Sequence, residues 1–312
     1  MLPKKTDLLP TLPHQWPQSL STLLPLSAQS LLTKQQNKTR QDFTLALEMF
    51  PDLDYEEFIH HWFLVSTRTF YWTAPSPSIP RPKGRKSPAA KRAFKKRVNE
   101  EKEKEKKLDH DDCISLAPFA DMFNHMPNGS VSVTFTKDGY TLHALHNIAA
   151  GEELSISYGN HNNDFLLVEY GFLIPGSKNS WDEVRIDSLL EGLFDEKKKL
   201  LISGRGYWGN WVLDGQGICY RTKVAVALLC AGMTVGRWER MVDSGEDGGE
   251  RVRDGIESII ARALNDYTSV IEQSLVDVNK LEEGSENQKE MLRERWKQVK
   301  MFVSKYLDST RS

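Results

Sequence analysis

The sequence predicts an α+β chain, with small β-sheets and flanking helices over residues 1–186 and an all-α domain over residues 187–312. Three observations carry that reading. Apolar residues recur at helical spacing in Tyr55, Phe58, Ile59, Trp62 and Phe63; apolar and polar residues alternate from Val131 toward Tyr158; and apolar steps of three and four residues dominate the last third of the chain. A length of 312 residues suits two domains of ordinary size, and 39% hydrophobic residues, with 10% aromatic, can fill a core.

Residues 1–25 are rich in proline, serine and leucine and read as an irregular arm lying on another element. A helix begins near Ser27. The next is marked by Asp54, placed to cap a helix whose third position is Glu57, and its aromatic stripe reads as core. From Thr73 to Asp112 the periodicity stops. Nine Lys or Arg lie between Arg81 and Arg97 with no acid among them, and EEKEKEKKLDHDD then mixes signs without an apolar face. Residues 73–112 are therefore predicted to be a disordered insertion. The basic run fits a nuclear-localisation or polyanion-binding patch, and equally a solvated loop.

After the insertion, Val131, Val133 and Phe135 alternate with polar residues, Asp138-Gly139 signals a hairpin turn, and Tyr140 and Leu142 resume on the return strand. A third strand, ELSISYG, is predicted to put Leu154, Ile156 and Tyr158 on one face. Asn163 starts a short helix that Gly171 can end. Beyond Ile186, RTKVAVALLCAGM, ERVRDGIESIIARALNDYTSVIEQSLVDVNKL and NQKEMLRERWKQVKMFVSKYL read as helices, with Gly284-Ser285 closing the last two into a hairpin.

A net charge of −2 exerts no overall pull toward nucleic acid or membrane. Cys113, Cys219 and Cys230 are too few and too scattered for a disulfide framework or a four-thiolate zinc site, which fits a reduced cytoplasmic or nuclear compartment. The longest apolar run, Val224 to Met233, is far short of the ~20 residues a membrane span requires. His60 and His61 are adjacent on a helix and so point about 100° apart, which argues against a metal site there. No nucleophile elbow, P-loop or dinucleotide fingerprint is present.

Two short motifs carry the chemistry: Asp121-Met-Phe-Asn124-His125, and Glu153-Leu-Ser-Ile-Ser-Tyr158-Gly159. Alone, the Asn-His pair would be an ordinary turn and Tyr158 a packed aromatic. Together, and in order with STRTF before the insertion and EYGFLIP downstream, they resemble the SET-domain methyltransferases. The specific likeness is to the Rubisco large-subunit methyltransferase subfamily, which includes ribosomal-protein lysine methyltransferases. It is close from Trp62 to Ile186 and architectural beyond.

The resemblance implies methyl transfer from S-adenosyl-L-methionine to a lysine of a protein substrate; a monomer without a membrane partner is expected, and nucleic-acid binding through residues 81–97 stands as a rival reading. A lysine amine of pKa ~10.4 must be neutral to react, so a narrow apolar channel that disfavours the ammonium and aligns the reacting atoms does most of the work. Residue by residue, the resemblance makes Tyr158 the catalytic tyrosine. Asn124, His125, Arg68 and Asp121 fall to the cofactor, with Arg68 offering a planar donor fork to its carboxylate. Tyr170 and Phe172 line the lysine channel. A non-catalytic module that binds a protein partner is the alternative, and a histidine acceptor is another, as in one branch of the subfamily.

The family opens its domain with a strand and a Gly-x-Gly turn, whereas the first glycine here is Gly84. Three readings account for this: a truncated member, an N-terminal arm that replaces the strand, or a member that has lost catalysis. The presence of Arg68, Asn124, His125 and Tyr158 favours the first.

Overall fold

Leucine spacing in the N-terminal arm turns out to be core spacing. In the computed structural model, which describes residues 2–71, 114–136 and 139–311, the arm folds into short helical turns whose Leu12, Leu20 and Leu24 are almost wholly buried. The insertion 73–112 and Asp138 of the expected hairpin turn lie outside the described residues. The chain forms two compact units, one of residues 1–60 with 160–312, the other of residues 61–159.

In the first unit the arm leads into α1 (Leu26–Met49) and the start of α2 (Tyr55–Arg68), where Asp54 Oδ2 accepts from the Glu57 amide at 2.9 Å, the cap the sequence signalled. After Asn160 come α3 (Asn163–Phe165), a π-helical turn over Leu166–Tyr170, β7 (Glu183–Arg185) and α4 (Glu196–Gly204). Then follow β8 (Val212–Asp214), β9 (Gly217–Ile218), α5 (Tyr220–Ala227), α6 (Val235–Ser244), α7 (Glu250–Lys280) and α8 (Glu286–Ser309). Helix α7 buries Val252, Ile256, Ile260, Leu264 and Ile271, an i, i+4 stripe that packs against Leu292, Val299 and Val303 of α8. Ser285 and Gln288 form a reciprocal capping box where α8 begins. Trp16, Leu20 and Leu24 of the arm join the same core, and Trp296 Nε1 donates to Leu23 O at 2.8 Å.

Two findings go beyond the sequence pattern. The C-terminal half carries a small antiparallel sheet, β7-β8-β9, whose two- and three-residue strands are too short to show a period. The compact units also divide the chain elsewhere than at residue 186: Leu167, Val168, Val184 and Ile186 pack among the C-terminal helices, so residues 160–186 share their core.

Among the described residues, the second unit carries three strand pairs. β1 (Thr69–Tyr71) runs antiparallel to β2 (Ile114–Leu116), and β4 (Val131–Thr136) runs antiparallel to β5 (Gly139–Ala144) in the predicted hairpin. β3 (Asn124–His125) pairs in parallel with β6 (Ser155–Ile156), placing Asn124 opposite Ser155 and His125 opposite Ile156. Phe123, Val131 and Ile156 are its buried cluster, with Phe70, Val133, Leu142 and Tyr158 against them. The third predicted strand is only two residues long: Ile156 is buried, but Leu154 is 41% exposed, because pairing with β3 starts at Ser155. The run thus does not share one face throughout.

Candidate active site

The two motifs meet at the β3–β6 pair, and glycine makes that approach possible. A Cβ on Gly129 would lie 2.7 Å from Ser155 O and 2.9 Å from Ile156 Cα, both unyielding backbone atoms. Next to it, Ser130 and Ser155 exchange hydrogen bonds: the Ser155 amide donates to Ser130 Oγ at 3.0 Å and the Ser130 amide to Ser155 Oγ at 3.3 Å. These bonds fix the register that sets Asn124 and His125 beside the strand leading to Tyr158.

His125 is 6% exposed, and its Nδ1 accepts from the Tyr158 amide at 3.0 Å, which puts the ring proton on Nε2. The two rings lie 5.1 Å apart. Tyr158 is half-buried, and its hydroxyl donates to Phe123 O at 2.8 Å. Side chain and main chain of Tyr158 are thereby tied to consecutive parts of the 123–125 segment. Asn124 is exposed and donates through Nδ2 to Glu153 Oε1 at 2.5 Å.

Arg68, the last residue of α2, points its Nη1 at Asp121 Oδ2, 2.8 Å away, with both side chains largely buried. Asp121 sits in the 3-10 turn Ala120–Met122, just before β3. The expected partner of Arg68 was a cofactor carboxylate; within the chain it is Asp121, and the two are oriented by each other. As apolar residues, Leu116, Phe119, Met122 and Phe123 are expected to anchor the run in the core, but Leu116, Phe119 and Met122 are 57%, 73% and 75% exposed, and Phe123 is buried together with Ala120.

Tyr170 and Phe172 belong to the other unit. Tyr170 ends the π-helical turn, and Gly171 follows in the left-handed conformation at φ 76°, where an added Cβ would strike Thr11 Oγ1 at 2.5 Å. The Tyr170 and Phe172 rings are 6.1 Å apart, and the His161 and Phe165 rings lie 6.4 and 6.3 Å from Tyr170. His161 stacks on Phe165 at 4.3 Å. Burial, helped by the neighbouring Glu169, holds the Tyr170 phenol above its ordinary pKa. Burial likewise raises Glu169, against a 2.8 Å hydrogen bond from Gln35 Nε2.

Residues 21–159 match the SET domain family model, and residues 182–309 match the ribosomal lysine N-methyltransferase 2 C-terminal domain model. Residues 21–159 form a SET domain. Among curated relatives, ribosomal lysine N-methyltransferase set11 of Schizosaccharomyces pombe is 23% identical over 279 residues, covering 85% of this chain and 63% of the relative. Ribosomal lysine N-methyltransferase 2 of Saccharomyces cerevisiae is 32% identical over 134 residues, covering 36% of this chain and 27% of the relative. The chain thus spans less than two thirds of either. The solved SET domain of LSMT bound to lysine and AdoHcy shares the fold, with a TM-score of 0.56 at 14% identity over 96% of this chain and 67% of that one.

SET domains of this kind imply S-adenosylmethionine, and the donors present fit it. Arg68 Nε is buried and has no hydrogen-bond partner among the described residues, while Asp121 steadies the rest of the guanidinium. An N–H so placed suits a carboxylate oxygen. Sequence reasoning missed Glu153, His161 and Phe165. Glu153 opens the ELSISYG motif and could have been paired with the exposed Asn124; the two aromatics, a few residues before Tyr170, gave no signal of their own.

Proposed function

We propose that this chain is an S-adenosylmethionine-dependent protein-lysine N-methyltransferase, acting as a monomer on a ribosomal or nuclear protein. One observation carries the reading: the Asn-His strand and the Tyr-Gly strand lie side by side, with the Tyr158 amide on His125 and its hydroxyl on Phe123 O. The two relatives, both ribosomal lysine N-methyltransferases by name, support a lysine acceptor and a ribosomal substrate.

S-adenosylmethionine, when bound, supplies an electrophilic methyl group on a sulfonium. Arg68, Asp121, Asn124 and His125 are the residues that would hold it. The Tyr158 proton is directed at Phe123 O, so toward a substrate the phenolic oxygen acts as an acceptor and can orient an amine N–H. Tyr170 and Phe172 offer ring faces to the lysine side chain. With its pKa raised, the Tyr170 phenol stays neutral at physiological pH and adds no negative charge that would favour an ammonium. Desolvation between aromatic rings lowers the pKa of the lysine amine and favours its reactive, neutral form.

The same reading puts the chain in the cytoplasm or nucleus. Free Cys219 and Cys230 and the basic run Arg81–Arg97 support that location, and no helix among the described residues is long and apolar enough to cross a membrane. Isothermal titration with S-adenosylmethionine, followed by mass spectrometry of ribosomal proteins incubated with both, tests the proposal. Saturable binding and methyl-lysine are expected. A flat titration would leave the protein-binding module, and methylation on histidine would move the acceptor.

A further inference from the structure

The loop from Asn163 to Ile174 carries both aromatic residues expected at the lysine channel, and it is closed by a single side chain. Asn163 is fully buried; its Oδ1 accepts from the Ile174 amide at 3.2 Å and its Nδ2 donates to Ile174 O at 3.0 Å. A carboxamide that meets both main-chain groups of one residue imitates a strand pairing and allows that residue only one orientation. Tyr170, Gly171 and Phe172 lie within the loop so closed, and the left-handed Gly171 leaves it no room to shift toward Thr11.

The bracket is itself held from the far end of the sequence. Asn163 Nδ2 also donates to Gln298 Oε1 at 2.9 Å, and Gln298 Nε2 donates to the same Ile174 O at 2.9 Å. Asn179 Nδ2 reaches Asn163 Oδ1 at 3.1 Å, and Asp182 Oδ1 accepts the Asn163 amide at 2.9 Å. Arg295, wholly buried on α8, joins Asp164 Oδ1 at 2.6 Å to Asp182 Oδ2 at 2.8 Å. Every member lies within the one compact unit. A loop whose task was only to connect would need no such convergence of buried amides, since apolar packing would close it without the desolvation cost.

We propose that Asn163, backed by Gln298 and Arg295 of the C-terminal helix, is a positioning residue that sets Tyr170 and Phe172 for the acceptor, so that the helical domain reaches the chemistry through hydrogen bonds. This rests on the lysine-methyltransferase reading above. It assigns the C-terminal helix a part in deciding how many methyl groups an acceptor receives, because that number depends on the room the channel walls leave.

The test uses the full chain carrying Asn163→Ala and, as a milder change at the outer tier, Gln298→Leu. Kinetics with an acceptor peptide are expected to show kcat lowered, by up to about a hundredfold for a wall displaced by an ångström. The acceptor KM should rise, the cofactor KM should hold, and the ratio of mono-, di- and trimethylated product should shift. A merely structural role would reduce the active fraction and leave both KM values and the product ratio as in the wild type; that result would overturn the proposal. A second readout is independent of turnover: 19F spectra of fluorotyrosine-labelled protein, with the Tyr170 resonance assigned through Tyr170→Phe. Its shift in either variant is expected, and an unmoved resonance in both overturns the bracket. Absence of any methyl transfer by the wild type would sink the function reading alone, since the 19F arm decides the bracket without it.

Discussion

Arg295 is the side chain whose removal the structure prices most clearly. It is wholly buried and donates from Nε to Asp164 at 2.6 Å, from Nη1 to Asp182 at 2.8 Å and Gln298 at 3.2 Å, and from Nη2 to Glu183 O at 3.1 Å. Burial alone would lower its pKa, but the two carboxylates outweigh burial and raise it, so the guanidinium is charged at every accessible pH. Arg295→Met keeps the apolar volume and strands two buried carboxylates, a loss of about 3–5 kcal/mol. For a unit of this size that is a fall in Tm of roughly 10 °C. The pH dependence gives the sharper check. Burial raises the Asp182 pKa against the pull of Arg295. A carboxyl raised on folding contributes stability below its unfolded pKa and loses it as pH rises through the folded value. Without Arg295 the folded value climbs further, so the variant regains stability on acidification, and the gap to wild type narrows from pH 7.5 toward pH 5. Urea unfolding at both pH values measures it. A loss below about 1 kcal/mol, the level of an exposed ion pair, or a gap that stays constant with pH, would refute the reasoning.

Tyr158→Phe removes the hydroxyl that donates to Phe123 O, so turnover should fall far more than cofactor affinity, with about 1 kcal/mol of stability lost. Arg68→Ala should weaken cofactor binding first, as titration would show; equal losses in the two variants contradict the roles assigned. Gly129→Ala drives a Cβ into Ser155 O and Ile156 Cα, and should cost about 1–3 kcal/mol by hydrogen exchange, concentrated at β3 and β6. Glu169→Gln removes the smaller of the two causes that raise Tyr170, so the phenol should titrate lower than in the wild type but still above its ordinary value, by ultraviolet absorbance difference against Tyr170→Phe.

The helices were legible because their periods are long. Thirty-one residues of α7 repeat an apolar step often enough to be unmistakable, and Asp54, Gly171 and Ser285 marked element ends by chemistry that acts within four residues. The motifs at Asn124-His125 and Tyr158 were legible as motifs, but what joins them was not. A two-residue parallel pairing leaves no pattern, and the Gly129 contact becomes visible only when Ser155 lies against it. Leu154 shows the opposite failure, since alternation began in the sequence one residue before the pairing begins in space. Asn163 read simply as the start of a helix. Asn162 supplies the cap, accepting from the Phe165 amide at 2.9 Å, and Asn163 turns inward, a choice set by Gln298, which lies 135 residues away.

That distance explains why polar groups, and not more leucine, hold α8 to the loop. Leu292, Val299 and Val303 of this helix pack in an apolar core, and apolar contact varies smoothly as one surface slides over another. Hydrogen bonds do not: Arg295 and Gln298 meet their partners in one register, and a displacement of an ångström breaks several at once. Buried ion pairs contribute little net stability relative to apolar replacements, so their value in this unit is directional. The apolar core keeps the C-terminal helix attached, and the Arg295 and Gln298 contacts fix where Tyr170 stands. If that division is right, Val299→Ala should lower Tm while leaving the Tyr170 19F resonance in place, whereas Gln298→Leu should move the resonance with little change in Tm. The reverse pattern would show that packing alone sets the loop.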